Sequence, residues 1–117
     1  MNLVLLRGRL SRDPTERTLP SGDELTVLEL TVAAGAPGTR AESVPLSWFD
    51  APGWVMHLTA GAELVIRGRV RRRFFQTAQG LQSRTEVVVE QGAPSSQASR
   101  AAAIRQRAAD AVLRSEG

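Results

Sequence analysis

Five arginines crowd into seven consecutive positions of the chain, and two phenylalanines follow them directly: Arg67, Arg69, Arg71, Arg72, Arg73, Phe74 and Phe75. A guanidinium group binds phosphate through paired hydrogen bonds and stacks on planar rings. An aromatic side chain offers a platform on which a nucleobase stacks. No acidic residue lies close to this stretch in the sequence, so we predict that it contacts the phosphates of a polyanion. A basic face that is merely solvated is the alternative.

Apolar and basic residues alternate along the strand predicted from residue 64, which separates an inner face from an outer one. The inner face comprises Leu64, Ile66, Gly68 and Val70. Continuing the alternation turns position 74 inward and turns Phe75 outward, beside Arg71 and Arg73. An outward phenylalanine among guanidinium groups fits a base-stacking surface. The alternative is a Phe75 buried at a subunit contact or under the loop at residues 76–80.

The same alternation applies to the strand predicted over residues 42–49. It turns Trp48 inward, as a core residue, and Phe49 outward, where we predict a second stacking platform. Trp54 follows in a short predicted helix and is expected to plug the interior. Arg7 and Arg9 flank Gly8 in the first predicted strand. Solvent exposure and phosphate contact are equally good interpretations of these two arginines.

The elements that carry these residues follow a recognisable order. Strands are predicted over residues 2–10, 24–34 and 42–49, from residue 64 onward, and over residues 85–90. A short helix is predicted between the third and fourth strands. Five strands with this one helix give the order of an OB-fold, an all-β barrel. Gly68 is expected to be structural, because a glycine within a strand permits sharp curvature.

The composition changes after Gly92. Residues 93–97 resemble a linker, and residues 99–114 are rich in Ala and Arg. We predict one folded domain over residues 1–91 and a tail over residues 92–117, in which a marginal helix follows the linker. Ser99 is the expected cap of that helix, and Ile104, Ala108 and Val112 line one side of it.

Several segments together resemble the bacterial single-stranded-DNA-binding proteins. The opening of that family is similar to residues 2–10, 13–14 and 20–22, and its fourth and fifth strands are similar to residues 61–70 and 85–89. The segments are collinear through about residues 2–90. The resemblance implies an OB-fold oligomer, usually a tetramer, that wraps single-stranded DNA. In such proteins bases stack on a few aromatic residues and basic residues hold phosphates.

The resemblance carries over to particular residues only in part. Phe49 and Phe75 match two stacking aromatic positions of the family. The places of two further stacking tryptophans fall near Ala36 and Ser43, which are not aromatic. The chain ends in Arg-Ser-Glu-Gly rather than in an acidic tip that closes with Pro-Phe. We therefore expect no recruitment of repair proteins through such a tip.

These observations predict non-catalytic binding of single-stranded DNA, in replication, repair or recombination. The predicted nucleic-acid-binding residues are Phe49, Phe75, Arg67, Arg69, Arg71, Arg73, Arg7 and Arg9. The alternative is an OB-fold protein-interaction or assembly subunit that has lost DNA binding. The two missing aromatics favour the alternative, as does the near balance of eleven arginines and ten acidic residues over residues 1–91. The position of Phe75 beside the arginines opposes it.

The residue inventory argues against most catalytic chemistry. The sequence has no cysteine and no lysine, and His57 is its only histidine. These counts exclude a thiolate or two-histidine metal site, a thiol nucleophile and a Schiff base. Counting alone does not exclude a Ser/His/Asp arrangement through His57. We expect no enzymatic activity, no cofactor and no metal.

Nothing in the sequence indicates a membrane or export. The apolar start is too short for a signal peptide, since Arg7 and Arg9 interrupt it, and no stretch approaches transmembrane length. The absence of cysteine fits a reducing compartment, so we expect a cytoplasmic location. A small barrel benefits from covering its open strand edges, so we also expect a homo-oligomer, either a dimer or a tetramer.

Overall fold

The computed structural model describes residues 1–33 and 35–116. Within them the chain forms six strands, one 3₁₀ turn and one C-terminal α-helix. The strands are β1 (Val4–Leu10), β2 (Thr15–Thr18), β3 (Glu24–Val32), β4 (Glu42–Phe49), β5 (Glu63–Thr77) and β6 (Gly80–Pro94). The 3₁₀ turn covers Gly53–His57, and the helix α1 covers Ala98–Glu116. All six strands belong to one sheet in the order β1-β5-β6-β4-β3-β2.

The sheet curls back on itself. Strand β1 pairs along β5 and also pairs with β3 through Arg9↔Thr31 and Leu10↔Leu30. Strands β4 and β6 meet in parallel at only two residue pairs, Leu46↔Val87 and Ser47↔Val88. A predominantly β chain that ends in one helix is consistent with the predicted OB-fold.

Two elements differ from the prediction. A sixth strand, β2, lies between the first two predicted strands, where no strand was predicted, and it pairs with β3 from Thr15↔Val27 to Thr18↔Glu24. All four of its side chains are exposed, so it carries no apolar alternation by which to detect it. The predicted short helix is instead a 3₁₀ turn, closed by Val55 N–H to Pro52 C=O and Leu58 N–H to Val55 C=O. Only Val55 is buried there, and a single tight turn is enough to bury it.

The inner face of the sheet forms the main core, as the alternation predicts. It contains Leu28, Leu30, Leu46, Trp48, Leu64, Ile66, Val87 and Val89. The core position of Trp48 is confirmed. Trp54 is half-buried rather than a plug: it meets Trp48 edge-on with 5.9 Å between ring centroids, and the Arg100 guanidinium covers it at 5.5 Å. Val55 is the residue of the turn that fills the interior.

Gly68 marks the point where the β5–β6 hairpin leaves the main core. A Cβ atom at this position would collide with the Val88 carbonyl oxygen, so only glycine permits the strands to approach this closely. A β-bulge shifts the register between Arg67 and Gly68. Val70 was predicted to point inward, yet it is 45% exposed because the core ends before it. We call residues 70–86 the β5–β6 arm.

Helix α1 packs against the outer face of the sheet. Its Ala101 and Ile104 cover Val65 and Ala93, which form a second, smaller core. Strand β6 therefore continues to Pro94, where the composition indicated a linker. Ser99 was predicted to cap the helix but lies within its first turn, and Val112 of the predicted stripe is exposed. Within residues 1–33 and 35–116, no helix is long and apolar enough to cross a membrane.

Replacing Gly68 with alanine tests the close approach of the strands. We expect Gly68→Ala to lower the free energy of unfolding by about 1–3 kcal/mol, because the added methyl group must push against backbone. Gly53→Ala is the matched control, since a Cβ there meets no atom within 4 Å. Urea denaturation of both variants gives the comparison. Equal stability of the two variants would show that the strands tolerate a side chain at Gly68.

Candidate nucleic-acid interface

The outer surface of β4, β5 and β6 gathers most of the predicted site. In the β5–β6 pairing, Arg71 lies opposite Glu86, Arg73 opposite Arg84 and Phe75 opposite Gln82, all on one side of the ribbon. Phe49, at the end of β4, lies on the same side. We call the set Phe49, Arg71, Arg73, Phe75 and Glu86 the aromatic–arginine face.

Each phenylalanine of this face is paired with one arginine. The guanidinium carbon of Arg71 lies 5.4 Å from the centroid of the Phe49 ring, and that of Arg73 lies 5.6 Å from the centroid of the Phe75 ring. Both distances are within the range of a cation–π interaction. The structure thus confirms that Phe75 faces outward beside the two arginines, and 37% of its surface remains exposed.

One carboxylate holds both arginines. Arg71 Nη2 donates a hydrogen bond of 2.7 Å to Glu86 Oε1, and Arg73 Nε lies 3.5 Å from the same oxygen. The Ser47 hydroxyl donates to the other oxygen, Oε2. Glu86 is only 3% exposed, so its charge is shielded from water and depends on these partners.

The protonation of Glu86 reflects two opposing effects. Burial raises the pKa of its carboxyl group. The hydrogen bonds from Ser47 and Arg71, together with the positive charges of Arg71 and Arg73, outweigh burial and hold the pKa below its ordinary value of 4.5. Glu86 is therefore ionised at neutral pH and offsets part of the charge of the face.

The sequence reasoning missed Glu86. No acidic residue lies close to the arginines in the sequence, but strand pairing brings the carboxylate of Glu86 into contact with them. The inference that the arginines are free of acidic partners is therefore wrong. Arg67 similarly reaches Glu90 at 3.9 Å. The hairpin turns at Ala78 and Gln79, and counting outward from that two-residue turn pairs Arg71 with Glu86, so the register of the turn is the signal that finds this contact.

Two further arginines lie near the face. Arg69 is exposed opposite Val88, and within the described part of the chain no carboxylate pairs with it. Arg84, which was not predicted, is exposed opposite Arg73 and lines a small groove of about 120 Å³ between the arm and strands β2 and β3, together with Arg17. Arg67, next to the bulge, is less accessible, and its side chain is 22% exposed.

The structure places Arg7 and Arg9 elsewhere. Both pair with Glu63, at 2.8 and 3.4 Å, and the hydrogen bond from Arg7 is the main cause that lowers the pKa of that carboxyl group. Arg7 lines a groove with Arg105 on one flank of α1. Phe49 lies along the opposite flank, so the helix separates these two arginines from the aromatic–arginine face.

A wider groove opens beside Phe49. It has a volume of about 470 Å³ and runs between α1 and the ends of β4 and β6. Arg100 and Arg107 of the helix line it, but so do Asp50 and Glu90. The charges in this groove are balanced, and Arg100 is already held by the Trp54 ring and the Gln97 side chain.

Position 74 differs from the prediction. Phe74 was expected to point inward, but it is 62% exposed on the reverse face of the arm. The alternation does continue along β5 as far as Phe74, but among the described residues the main core ends before this part of the hairpin. The Arg72 guanidinium lies 5.6 Å from the centroid of the Phe74 ring.

The comparison with known families agrees with this geometry. The sequence model described as "Single-strand binding protein family" matches residues 1–94. This chain belongs to the single-strand binding protein family. The matched residues include the whole aromatic–arginine face and the arm, and they end at the last residue of β6.

A solved structure shows the same fold. A deletion variant of the single-stranded DNA binding protein from Thermus aquaticus matches with a TM-score of 0.65 and 24% identity. The match covers 80% of this family member and 40% of the Thermus aquaticus chain, so the two share one part of that longer protein. No curated protein sequence matches the chain.

Removing the charge of Glu86 tests its part in the face. We expect Glu86→Gln to lower the free energy of unfolding by about 1–2 kcal/mol at neutral pH, because hydrogen bonds to a charged group are lost. Since the native pKa is lowered, the ionised carboxylate stabilises the fold above about pH 4.5, and this stabilisation disappears as the pH falls through the native value. The difference between wild type and variant should therefore shrink in acid, as measured by urea denaturation.

Glu90→Gln is the control for this experiment. It lies on the same strand, but its side chain is 41% exposed and its ion pair with Arg67 is long. Exposed ion pairs contribute little, so we expect a change within about 0.5 kcal/mol. A Glu86→Gln variant as stable as this control at every pH would contradict the assigned role of Glu86.

Proposed function

We propose that this chain binds single-stranded DNA and catalyses no reaction. Bases stack on Phe49 and Phe75, and phosphates meet Arg69, Arg71 and Arg73. The observation that carries the proposal is the pair of outward aromatic rings, each accompanied by a guanidinium group, on one exposed face of a single-strand binding family member. Stacking accepts any base, so we expect little sequence preference.

The geometry favours a single strand over a duplex. In a duplex the bases are stacked on one another and their faces are hidden, so Phe49 and Phe75 have nothing to stack on. A single strand offers both free bases and phosphates. The groove lined by Arg17 and Arg84 extends the basic surface from the arm toward β2. We assign the protein to replication, repair or recombination, the processes in which single strands are exposed.

The charge on the face sets how strongly binding depends on salt. Glu86 offsets one of the two charges of Arg71 and Arg73, whereas Arg69 has no carboxylate partner in the described chain. Each phosphate that is neutralised adds about −0.7 to the slope of log affinity against log salt. We therefore expect Arg69 to account for more of the slope than its neighbours.

We also propose that the protein is a homo-oligomer. Strand β2 ends the sheet order, and its four exposed residues leave one edge open to pairing. A second copy of the chain would cover such an edge and place two or more aromatic–arginine faces on one particle.

A second candidate function is an assembly subunit that has lost DNA binding. The carboxylate of Glu86, which offsets one of the two charges of Arg71 and Arg73, favours it, as does the exposed serine at position 43, near which the resemblance places a stacking aromatic. Such a subunit would show no salt-dependent affinity for an oligonucleotide.

Fluorescence anisotropy with single-stranded and duplex oligonucleotides over a salt series tests the proposal. Phe49→Ala and Phe75→Ala should each weaken single-strand binding by about 1–3 kcal/mol and leave the salt slope unchanged. Arg69→Ala should reduce the slope by about 0.7. Leu113→Ala, an exposed apolar change on α1, is the control and should alter neither value. Equal or tighter binding of the duplex would refute the single-strand assignment.

A further inference from the structure

The reverse face of the β5–β6 arm carries a second aromatic–arginine pair. We propose that Phe74 and Arg72 form a further nucleotide site, where Phe74 stacks on one base and Arg72 holds an adjacent phosphate. The single strand would then contact both sides of the arm. This inference rests on the proposed function and extends it to a surface that the sequence assigned to the interior.

The exposure of Phe74 is built into the hairpin. The Asn2 side chain makes two hydrogen bonds of 2.8 Å to the backbone N–H and C=O of Val70, which fixes the base of the arm. Beyond that point the cross-strand pairs continue without a break to Thr77↔Gly80. The arm is thus a regular two-stranded ribbon, and Phe74 is 62% exposed because, within residues 1–33 and 35–116, no other strand or helix covers its side of the ribbon.

Phe74 is also the better presented of the two neighbouring rings. Phe75, on the aromatic–arginine face, is 37% exposed. Leu81, 67% exposed, lies on the same side as Phe74, since it pairs with Gln76. An exposed aromatic ring of this kind, with one face free, is a platform for a base.

The charge of the reverse face suits a polyanion. Arg72 donates to the Ser83 hydroxyl at 3.0 and 3.2 Å and lies over the Phe74 ring. Its cross-strand neighbours Ser83 and Thr85 are uncharged, and within the described residues no carboxylate pairs with Arg72. On the other side of the ribbon, Glu86 offsets the arginines. Arg72 therefore keeps its full charge for a phosphate.

The same charge argues against a second copy of the chain as the occupant. A two-fold contact through this face would bring Arg72 close to the copy's own Arg72, with no carboxylate to separate them. A single strand supplies both missing partners, a π-face for Phe74 and an anion for Arg72. The arm ends in Ala78 and Gln79, so its tip is narrow enough for a strand to pass from one side to the other.

Oligonucleotide length distinguishes the two sides of the arm. An oligo(dT) of about 4 nucleotides fills the aromatic–arginine face alone, whereas one of about 16 nucleotides reaches both sides. We expect Phe74→Ala to weaken binding of the long oligonucleotide about tenfold and to leave the short one within about twofold. Leu81→Ala is the matched control and should change neither. Phe74→Trp should keep the affinity of the wild type.

The outcomes separate this inference from the proposed function. Loss of affinity in Phe75→Ala together with a Phe74→Ala variant equal to Leu81→Ala would overturn only the reverse-face site. If light scattering shows a lower particle mass for Phe74→Ala while its DNA affinity is unchanged, the reverse face contacts a second copy of the chain. That result would also overturn the reverse-face nucleotide site. A wild-type protein that binds neither oligonucleotide would remove both proposals.

Discussion

A buried carboxylate at Glu86 holds together charges that would otherwise repel one another. Arg71 and Arg73 alternate along one strand on the same side, about 7 Å apart. Glu86 contacts both from the neighbouring strand, and Ser47 completes its hydrogen bonding. Because the carboxylate is shielded from water, loss of either arginine would leave a buried charge undercompensated. The positions of the guanidinium groups over the two phenylalanine rings follow from this one contact.

The hairpin that presents these groups depends on the backbone at Gly68. The absence of a side chain lets β5 approach Val88, and the adjacent bulge adjusts the register just before the arm extends beyond the core. On the core side of Gly68, the side chains of β5 and β6 point alternately to the inner and outer faces of the sheet. Beyond the Arg71–Glu86 pair both sides of the ribbon are exposed, which brings Phe74 as well as Phe75 to the surface. The fold thus produces two distinct aromatic surfaces from one alternating strand.

Strand alternation was enough to predict the core position of Trp48 and the outward position of Phe75, because both depend on local periodicity alone. It could not show where the core ends, so Phe74 was placed inside. It also could not show Glu86, since that contact depends on pairing between residues fifteen positions apart. The composition of residues 99–114 predicted a helix, but its packing on Val65 is a tertiary contact that periodicity does not reveal.

Photochemical cross-linking tests most directly whether a single strand lies on the aromatic–arginine face. An oligonucleotide that carries 5-iododeoxyuridine would be irradiated with the wild-type protein, and the modified residues would be located by tandem mass spectrometry. We predict cross-links at Phe49 and at Phe75, where bases stack within contact of the rings. Efficient cross-linking confined to α1 or β2, with neither phenylalanine modified, would contradict the central claim that this face binds the strand.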